Sequence, residues 1–589
     1  MRIKHFFGLA VLAAMTASCS SNNELVNGGN GSGENESGTS YASITIDLPT
    51  TSGTRAANDK FDGGTASEYT VNDATLLIFK KAGTSENEFE YVETASLGNL
   101  EPWKKDNTDD NGITTEATIT AKLEKATVGK NGDYYALVIL NNKDKKDNEK
   151  VTLPTGTTTY GAWNVAASAT AAKLVDNTKG FYMANAPEFK AADQEPTTLV
   201  PIKGIYRTKE EAHSKPGTTV HVERGLAKVT VGKGTEKDYF TGAKASGSKY
   251  SNDDVKITNW ALDVTNKSSF PVHVTAGLKD GVTSAGIPAY ANIWENAVAT
   301  PGTIAATSRF VSQLSATGAF KRVYWGIDPN YSKSLTDKDA CGQEFTLVKA
   351  NGSDADWKTS TEPLYCLENT FDITHMLQGQ TTRVLLKATY TPNALASATD
   401  KTFFMIGNSS DIWTTETLKA QIAGKAKDAL GMTTDPTVEL KGDLLKGGTH
   451  FLTTENVSIK DGETEKVNTT GLVDKLNTKL GLDKTNGVGI KTYEKGESYY
   501  IARIKHFGDD LTPWKEGDDT YGENNLKWLG RYGVLRNNWY DLTIEKISGP
   551  GYPDVPEVKP ETPDDEDTKY INVSVKILDW AKRSQSWDL

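Results

Sequence analysis

The segment Tyr41-Ala-Ser-Ile-Thr-Ile-Asp-Leu-Pro49 places apolar and polar residues in strict alternation. Ile44, Ile46 and Leu48 fall on one face of an extended chain, and this pattern predicts a half-buried β-strand. Runs rich in β-branched and aromatic residues recur along the chain, as at residues 74–79. Short strands in series, separated by turn residues and without alternating helices, predict an all-β fold of sandwich or barrel type.

The composition limits the classes of function. The chain has 589 residues with 77 acidic and 65 basic side chains, which gives a net charge of -12. This acidic balance argues against nucleic-acid binding, which needs a clustered basic surface. The sequence contains three cysteines, too few for a disulfide scaffold or a site with four cysteine ligands.

Two stretches in the second half of the chain have a helical period. In residues 418–430 and 472–480, Leu, Ile or Ala recurs every four positions, and a glycine follows each stretch. This spacing with a glycine at the C-terminal end predicts two helices. We expect them to be small insertions that cover a sheet edge or face.

The N-terminus has the features of an export signal. A basic start is followed by the apolar residues 6–17, a run shorter than the ~20 residues of a membrane span. Small residues directly precede Cys19, and this arrangement resembles a bacterial lipobox. We therefore predict a signal peptide at residues 1–18 and acylation of Cys19. The competing interpretation is an ordinary signal peptide with a nearby cysteine.

The segment behind the first strand contains a candidate cleavage site. Residues 51–57 are small and polar apart from one arginine, Arg55, which precedes Ala56. Exposed segments of this kind are preferred sites of proteolysis. Cleavage there would release the first strand, whereas the sequence alone favours the simpler interpretation of a plain loop.

A second alternating strand lies at the end of the chain. Residues 549–569 contain five prolines and seven acidic residues, which predicts an extended, solvated spacer. Beyond it, the chain places Ile571, Val573, Val575 and Ile577 on one face. This strand either pairs within its own domain or fills the place of the first strand in another copy, by β-strand addition. In the second case the head-to-tail contact does not close, and repetition yields a filament.

Several motifs resemble those of one family. Val222-Glu-Arg-Gly-Leu-Ala-Lys-Val229, Arg536-Asn-Asn-Trp-Tyr-Asp-Leu-Thr-Ile544 and the closing Trp-Asp-Leu are similar to segments of the Bacteroidales fimbrillins. The lipobox at Cys19 and the junction of strand and arginine at Arg55 fit the same family. The resemblance is greatest to major subunits of type V pili, of the short-fimbria type.

The resemblance implies an architecture and a route of assembly. It implies two transthyretin-like β-sandwich domains, at residues 56–222 and 223–548, a spacer at 549–569 and a donor-strand tail at 570–589. The precursor would reach the outer membrane as a lipoprotein, and an Arg-specific protease would remove the propeptide, residues 19–55. Arg55 would then precede the cleaved bond, and Ala56 would be the new N-terminus.

The same resemblance implies the partners. The segment from Ile571 to Ile577 would be donated to the next copy of the chain, and anchor and tip subunits would complete a surface fimbria that supports adhesion and biofilm formation. The lipid of the precursor would be the only link to a membrane.

Sequence motifs for catalysis are missing from the chain. None of the seven histidines lies in a His-Glu-x-x-His motif, and neither a Gly-x-Ser-x-Gly elbow nor a P-loop occurs. We predict no catalytic, cofactor or metal site, and hence a structural protein rather than an enzyme. In an exported protein Cys341 and Cys366 could form a disulfide, although nothing in the sequence determines their distance.

The alternative function is a surface lipoprotein that binds glycans. Trp103, Trp357, Trp413 and Trp514 lie in polar stretches and would be the ligand contacts. Such a module needs neither a cleavage site nor a donor strand, and this difference favours the fimbrial interpretation.

Overall fold

The structure is a computed structural model, and most of its regular secondary structure is β-strand, with a few short helices. The prediction of an all-β fold is therefore confirmed. The structure describes residues 39–48, 65–98, 115–128, 132–143, 145–167, 169–175, 180–189, 196–275, 322–331, 334–360, 362–370, 373–507, 512, 528–564, 571–578 and 583–584.

The N-terminal unit is built on one sheet. Its strands follow the order β3-β2-β5-β6-β8-β1-β4, with β7 paired to β5. The elements are β1 (Ser40–Leu48), α1 (Ala66–Tyr69), β2 (Ala74–Lys80), β3 (Glu90–Gly98), β4 (Thr115–Leu123), β5 (Tyr134–Leu140), α2 (Tyr160–Ala166), α3 (Ala171–Leu174), β6 (Met183–Asn185), β7 (Val200–Pro201), α4 (Lys209–His213) and β8 (Thr218–Arg224).

The two end strands of this sheet lie close together. Glu93 on β3 accepts hydrogen bonds from the backbone N–H groups of Glu124, Lys125 and Ala126, at 2.7 to 2.9 Å, just after β4. The sheet therefore curls around an inner apolar core. Strands β2 and β5 are apolar on both faces, because one face meets this inner core and the other packs against α2 and α3.

The chain passes to a second unit after Arg224, two residues beyond the boundary predicted at 222. The elements of this unit are β9 (Ala227–Lys233), β10 (Ala243–Lys244), β11 (Asp254–Asp263), β12 (Thr265–Asn266), α5 (Lys338–Glu344), β13 (Phe345–Thr346), β14 (Leu364–Cys366), β15 (Arg383–Thr391), β16 (Phe403–Ile406), α6 (Thr415–Leu430), β17 (Thr437–Leu440), β18 (Gly448–His450), β19 (Val457–Asp461), β20 (Thr464–Glu465), α7 (Leu472–Lys479), β21 (Ile490–Tyr493), β22 (Glu497–Arg503), β23 (Trp539–Ile547), β24 (Ile571–Leu578) and β25 (Arg583–Ser584).

Two sheets of the second unit form a sandwich. One has the order β10-β11-β15-β22 and the other the order β14-β9-β23-β24-β25. Their inner faces share one apolar core, to which Val231, Trp260, Leu386, Tyr500 and Leu542 contribute fully buried side chains. Two facing sheets with a common core are the architecture expected of a β-sandwich.

An insertion separates the neighbouring strands β15 and β22. Residues 403–493 form two small sheets and the helices α6 and α7 around their own apolar core. Both predicted helices are present, and Gly431 ends α6 in the left-handed region, with φ of 66°. The helices pack on the small sheets of the insertion rather than on either sheet of the sandwich.

Candidate strand-exchange site

Strand β1 lies inside the N-terminal sheet rather than at its edge. It pairs antiparallel with β4 along its whole length, from Ser40 opposite Leu123 to Leu48 opposite Thr115. On its other side it runs parallel to β8, with Ile44 opposite Thr218. The predicted removable strand therefore has hydrogen-bonded partners on both sides.

The inner face of β1 is fully apolar. Ala42, Ile44 and Ile46 are 0% exposed and Leu48 is 5% exposed, all within the inner core of the N-terminal unit. Burying the three larger side chains contributes roughly 4–9 kcal/mol, at about 1.5–3 kcal/mol for each. Loss of β1 would thus open a long apolar groove.

The outer face of β1 carries polar side chains with defined partners. The hydroxyls of Thr45 and Thr118 lie 2.9 Å apart across the β1–β4 ladder. His221 Nδ1 lies 3.0 Å from Asp47 Oδ2, and about a quarter of each of these side chains is exposed. The sequence pattern did not reveal this pair, because the two residues are 174 positions apart.

The segment 206–217 crosses the outer face of β1. Tyr41 and Tyr206 exchange two backbone hydrogen bonds of 2.8 Å, and α4 lies against β1 and β4. Gly217 then passes so close that a Cβ atom there would lie 2.4 Å from Thr45 Oγ1. The outer slots of Ser43 and Thr45 are consequently narrow and closed.

Cys19, Arg55 and Ala56 lie outside the described residues, and the description resumes at residue 65, close to the buried Glu68. Glu68 is 0% exposed, and its Oε1 lies 2.7 Å from Lys228 Nζ. Its backbone carbonyl accepts a hydrogen bond of 2.7 Å from Arg224 Nε. The segment behind the predicted cleavage site is therefore anchored at the junction of the two units.

Buried charges also connect the two units. Glu223 Oε2 on β8 lies 2.7 Å from Arg322 Nη2, and His273 Nδ1 lies 3.2 Å from Glu223 Oε1. Burial alone would raise the pKa of the Glu223 carboxyl, but Arg322 and His273 outweigh it and hold this pKa below its ordinary value. A second buried pair joins Arg536, just before β23, to Glu368. Arg322 also donates to the backbone carbonyl of Arg536, at 2.9 Å.

The predicted donor strand forms β24 in this chain. It pairs antiparallel with β23, with Ile571 opposite Ile547 and Ile577 opposite Tyr540. On its other side, among the described residues, it pairs with the two-residue strand β25. Pairing within its own domain was one of the two outcomes that the sequence left open. The last residues, 585–589, lie outside the described residues.

The spacer differs from its prediction. In the described part, residues 549–564, it packs against the domain, and Pro550, Val555, Val558 and Asp564 are buried. Asp564 Oδ1 lies 3.0 Å from Arg503 Nη1, and Thr381 donates a hydrogen bond of 2.7 Å to Asp564 Oδ2. The prediction of a solvated spacer from proline and acidic content missed these buried partners, which are far away in sequence.

A second buried arginine also holds the spacer. Arg383 on β15 lies 2.7 Å from Asp263 and donates a hydrogen bond of 2.9 Å to the carbonyl of Pro556. The backbone N–H of Gln378 donates to the carbonyl of Thr562, at 2.8 Å. Polar groups of the domain thus satisfy the carbonyls of the spacer where it is buried.

Cys341 and Cys366, whose pairing the sequence left open, are both free cysteines. Both side chains are buried thiols, and they belong to different apolar cores. Burial raises the pKa of the Cys341 thiol to about 11 and that of the Cys366 thiol to about 12. Both cysteines therefore act as small apolar residues.

Two of the tryptophans considered for glycan binding lie within the described residues. Trp357 donates from its indole N–H to the carbonyl of Gly352, at 2.8 Å, and packs against Tyr499. Trp413 packs against the core of the insertion. Both are half-buried parts of the fold. Trp103 and Trp514 lie outside the described residues.

The described residues contain neither a membrane-spanning helix nor a metal-binding cluster. Among these residues, no helix has both the length and the hydrophobicity of a membrane span. In the same part of the chain, no group of three or more His, Cys, Asp or Glu side chains is arranged to hold a metal ion.

Comparison with known proteins identifies the C-terminal part. Residues 491–586 match the family described as major fimbrial subunit protein type IV, fimbrillin, C-terminal. The match begins in β21 and extends through β22, β23, the spacer and β24. The predicted resemblance to fimbrillins is thereby confirmed for this part of the chain. Among curated proteins, no sequence matches this chain.

Several solved structures of fimbrial proteins are similar at low identity. A fimbrilin from Porphyromonas gingivalis W83 has 13% identity and a TM-score of 0.31, with 92% of this chain and 99% of that chain covered. A fimbrial assembly protein from Parabacteroides distasonis ATCC 8503 has 10% identity and a TM-score of 0.26, with 92% and 96% covered. The tip fimbrial protein Mfa3 from Porphyromonas gingivalis has 11% identity and a TM-score of 0.26, with 92% and 100% covered.

The close approach of Gly217 to β1 leads to a test of how tightly β1 is held. Gly217→Ala should push Thr45 away and destabilise the precursor by about 1–3 kcal/mol, since added bulk in a packed site forces shifts. Thermal unfolding and protease sensitivity of β1 would measure the effect. Gly232→Ala is the matched control, because a Cβ there meets no atom within 4 Å. Equal stability of the two variants would contradict the close contact.

Proposed function

We propose that this chain is the major stalk subunit of a surface fimbria and that it polymerises by strand exchange. Removal of β1 from the precursor would open the groove between β4 and β8, and β24 of a neighbouring copy would fill it. The observation that carries the proposal is the position of β1, a central strand with its apolar face fully buried.

A central strand suits exchange better than an edge strand. Loss of an edge strand leaves one row of unpaired backbone groups, whereas loss of β1 leaves two rows, on β4 and on β8. Those rows and the apolar groove between them can be satisfied by an extended segment with the same alternation. The trimmed subunit therefore has a strong thermodynamic reason to take up a strand.

The C-terminal strand would gain backbone hydrogen-bond partners by leaving its own domain. In the single chain, β24 pairs with one long strand, β23, and with the two-residue β25. Between β4 and β8 of another copy it would have long partners on both sides. The exchange would thus add backbone hydrogen bonds for the donor while it completes the acceptor.

Maturation would proceed in the order that the resemblance to fimbrillins implies. The signal peptide directs export, acylated Cys19 holds the precursor at the outer membrane, and an Arg-specific protease cuts between Arg55 and Ala56. Glu68 and its buried partners keep the new N-terminal segment attached to the subunit. Head-to-tail copies, together with anchor and tip subunits, would form a fimbria that supports adhesion and biofilm formation.

Deletion of residues 571–589 should abolish polymerisation, because the subunit loses the strand that it donates. Heat-stable ladders on denaturing gels and electron microscopy of cell surfaces would measure assembly. Deletion of residues 585–589 alone is the control, since it keeps β24 and β25. Ladders formed by the longer deletion would contradict the proposal, and circular dichroism would establish that both deletions fold.

Arg55→Ala should block maturation and leave acylated, unpolymerised precursor at the membrane, because β1 stays covalently attached and keeps its groove filled. Arg55→Lys should have the same effect if the protease requires arginine. Lys60→Ala, which changes a nearby basic residue, should mature normally. N-terminal sequencing of surface protein would identify Ala56 as the first residue of the mature chain. Normal fimbriae from Arg55→Ala would refute cleavage at this site.

A further inference from the structure

We infer that the donor strand enters the next copy in the direction of β1 and in a single register, with Lys576 in the position of Asp47. This inference rests on the proposed strand exchange and specifies its geometry. The sequence patterns of the two segments, the exposure of each β1 position and the charges beside β1 carry it.

The inward positions of the two strands correspond one to one. In β1 these positions are Ala42, Ile44, Ile46 and Leu48, with exposures from 0% to 5%. In the proposed register they receive four apolar residues, Ile571, Val573, Val575 and Ile577. A shift by one residue would turn Asn572, Ser574 and Lys576 into the core, since alternate residues face opposite sides of a strand.

Shifts by two residues are excluded by the charges that flank the donor. Lys569 precedes the apolar set by two positions, and Asp579 follows it by two. A slip in one direction would put Lys569 in the fully buried slot of Ala42. A slip in the other direction would put Asp579 in the slot of Leu48. Burying an unpaired charge in an apolar core is strongly unfavourable, so the apolar set fits in one register only.

The outer face decides the direction of the strand. If the donor runs as β1 does, Asn572 takes the place of Ser43, Ser574 that of Thr45 and Lys576 that of Asp47. If it ran the opposite way, Lys576 would fall in the slot of Ser43, which is 4% exposed and lies beside Gly217. The Asp47 side chain is 27% exposed, so a lysine there can keep its ammonium group in water.

In the proposed register a basic residue, Lys576, also takes the place of an acidic one, Asp47. Asp47 is paired in register with Glu116 on β4, and like charges directly opposite each other on neighbouring strands are unfavourable. Lys576 in the same place would bring opposite charges together. The donor would lose the contact that Asp47 makes with His221, but it would remove the opposition to Glu116. The exchange therefore replaces an acidic residue opposite Glu116 with a basic one.

Cysteine crosslinking of purified fimbriae tests the register and the direction. The side chains of Thr45 and Thr118 meet across the ladder, so Thr118→Cys with Ser574→Cys should give disulfide-linked ladders after mild oxidation. Thr120→Cys with Asn572→Cys should do the same, because Ser43 is opposite Thr120. After the fimbriae are dissociated in concentrated denaturant, Glu116→Cys with Asn572→Cys should run as a monomer on non-reducing gels. Single-cysteine variants are the controls, and the buried Cys341 and Cys366 are common to all samples.

Other crosslinking results would show a different direction or register of the donor strand. Ladders from Glu116→Cys with Asn572→Cys would show the reverse direction, and ladders from Thr118→Cys with Asn572→Cys would show a slipped register. Either result overturns the inference while strand exchange itself stands. The slip in the other direction would crosslink Thr120→Cys with Ser574→Cys, because it places Ser574 at Ser43. If fimbriae assemble and neither this pair nor any of the others crosslinks, the donor does not occupy the place of β1, and the proposed exchange fails with the inference.

The charge reversal can be tested separately. Lys576→Glu should lower the yield of fimbriae by about two- to fivefold relative to Lys576→Gln, as expected for like charges across a ladder. Glu116→Gln in the same chain should restore the yield of Lys576→Glu to that of Lys576→Gln. If Lys576 had a purely structural role, Glu116→Gln would not restore the yield of Lys576→Glu. Equal yields of Lys576→Glu and Lys576→Gln would refute the pairing of Lys576 with Glu116.

Discussion

The N-terminal unit depends on the burial of β1 between β4 and β8. A strand in the middle of a sheet provides backbone partners to both neighbours and side chains to the core beneath them. Without a strand in this place, β4 and β8 would each have a row of unpaired backbone groups, and the core beneath them would be incomplete. In the proposed exchange, an extended segment with the same alternation takes the place of β1, because β1 supplies backbone hydrogen bonds and apolar packing.

The chain on either side of the proposed exchange is fixed by buried ion pairs. Glu68, behind the predicted cleavage site, pairs with Lys228, and Asp564, ahead of the donor strand, pairs with Arg503. A buried charge keeps its partner because separating the two would leave an uncompensated charge in a low-dielectric interior. These pairs hold the flanking chain in place, so that the proposed exchange would move β1 and β24 and leave the rest of the subunit unchanged.

Sequence patterns predicted the local elements well. Alternation identified β1 and β24, and a four-residue apolar repeat identified α6 and α7, because these elements depend on neighbours along the chain. The same reasoning failed for the spacer and left the pairing of the two cysteines open. Proline and acidic residues indicated a solvated segment, but Arg383 and Arg503 bind part of it inside the domain. Cys341 and Cys366 were equally eligible for a disulfide until their separate cores were known.

The alternation in the sequence predicts which segments can form strands, which face of each is apolar, and that two segments at opposite ends share one pattern. The folded chain shows in addition that β1 is central, that Asp47 meets His221, and that Gly217 closes the outer slots. The physical reason is that alternation is a property of one strand, whereas the order of strands in a sheet follows from contacts between residues far apart in the chain.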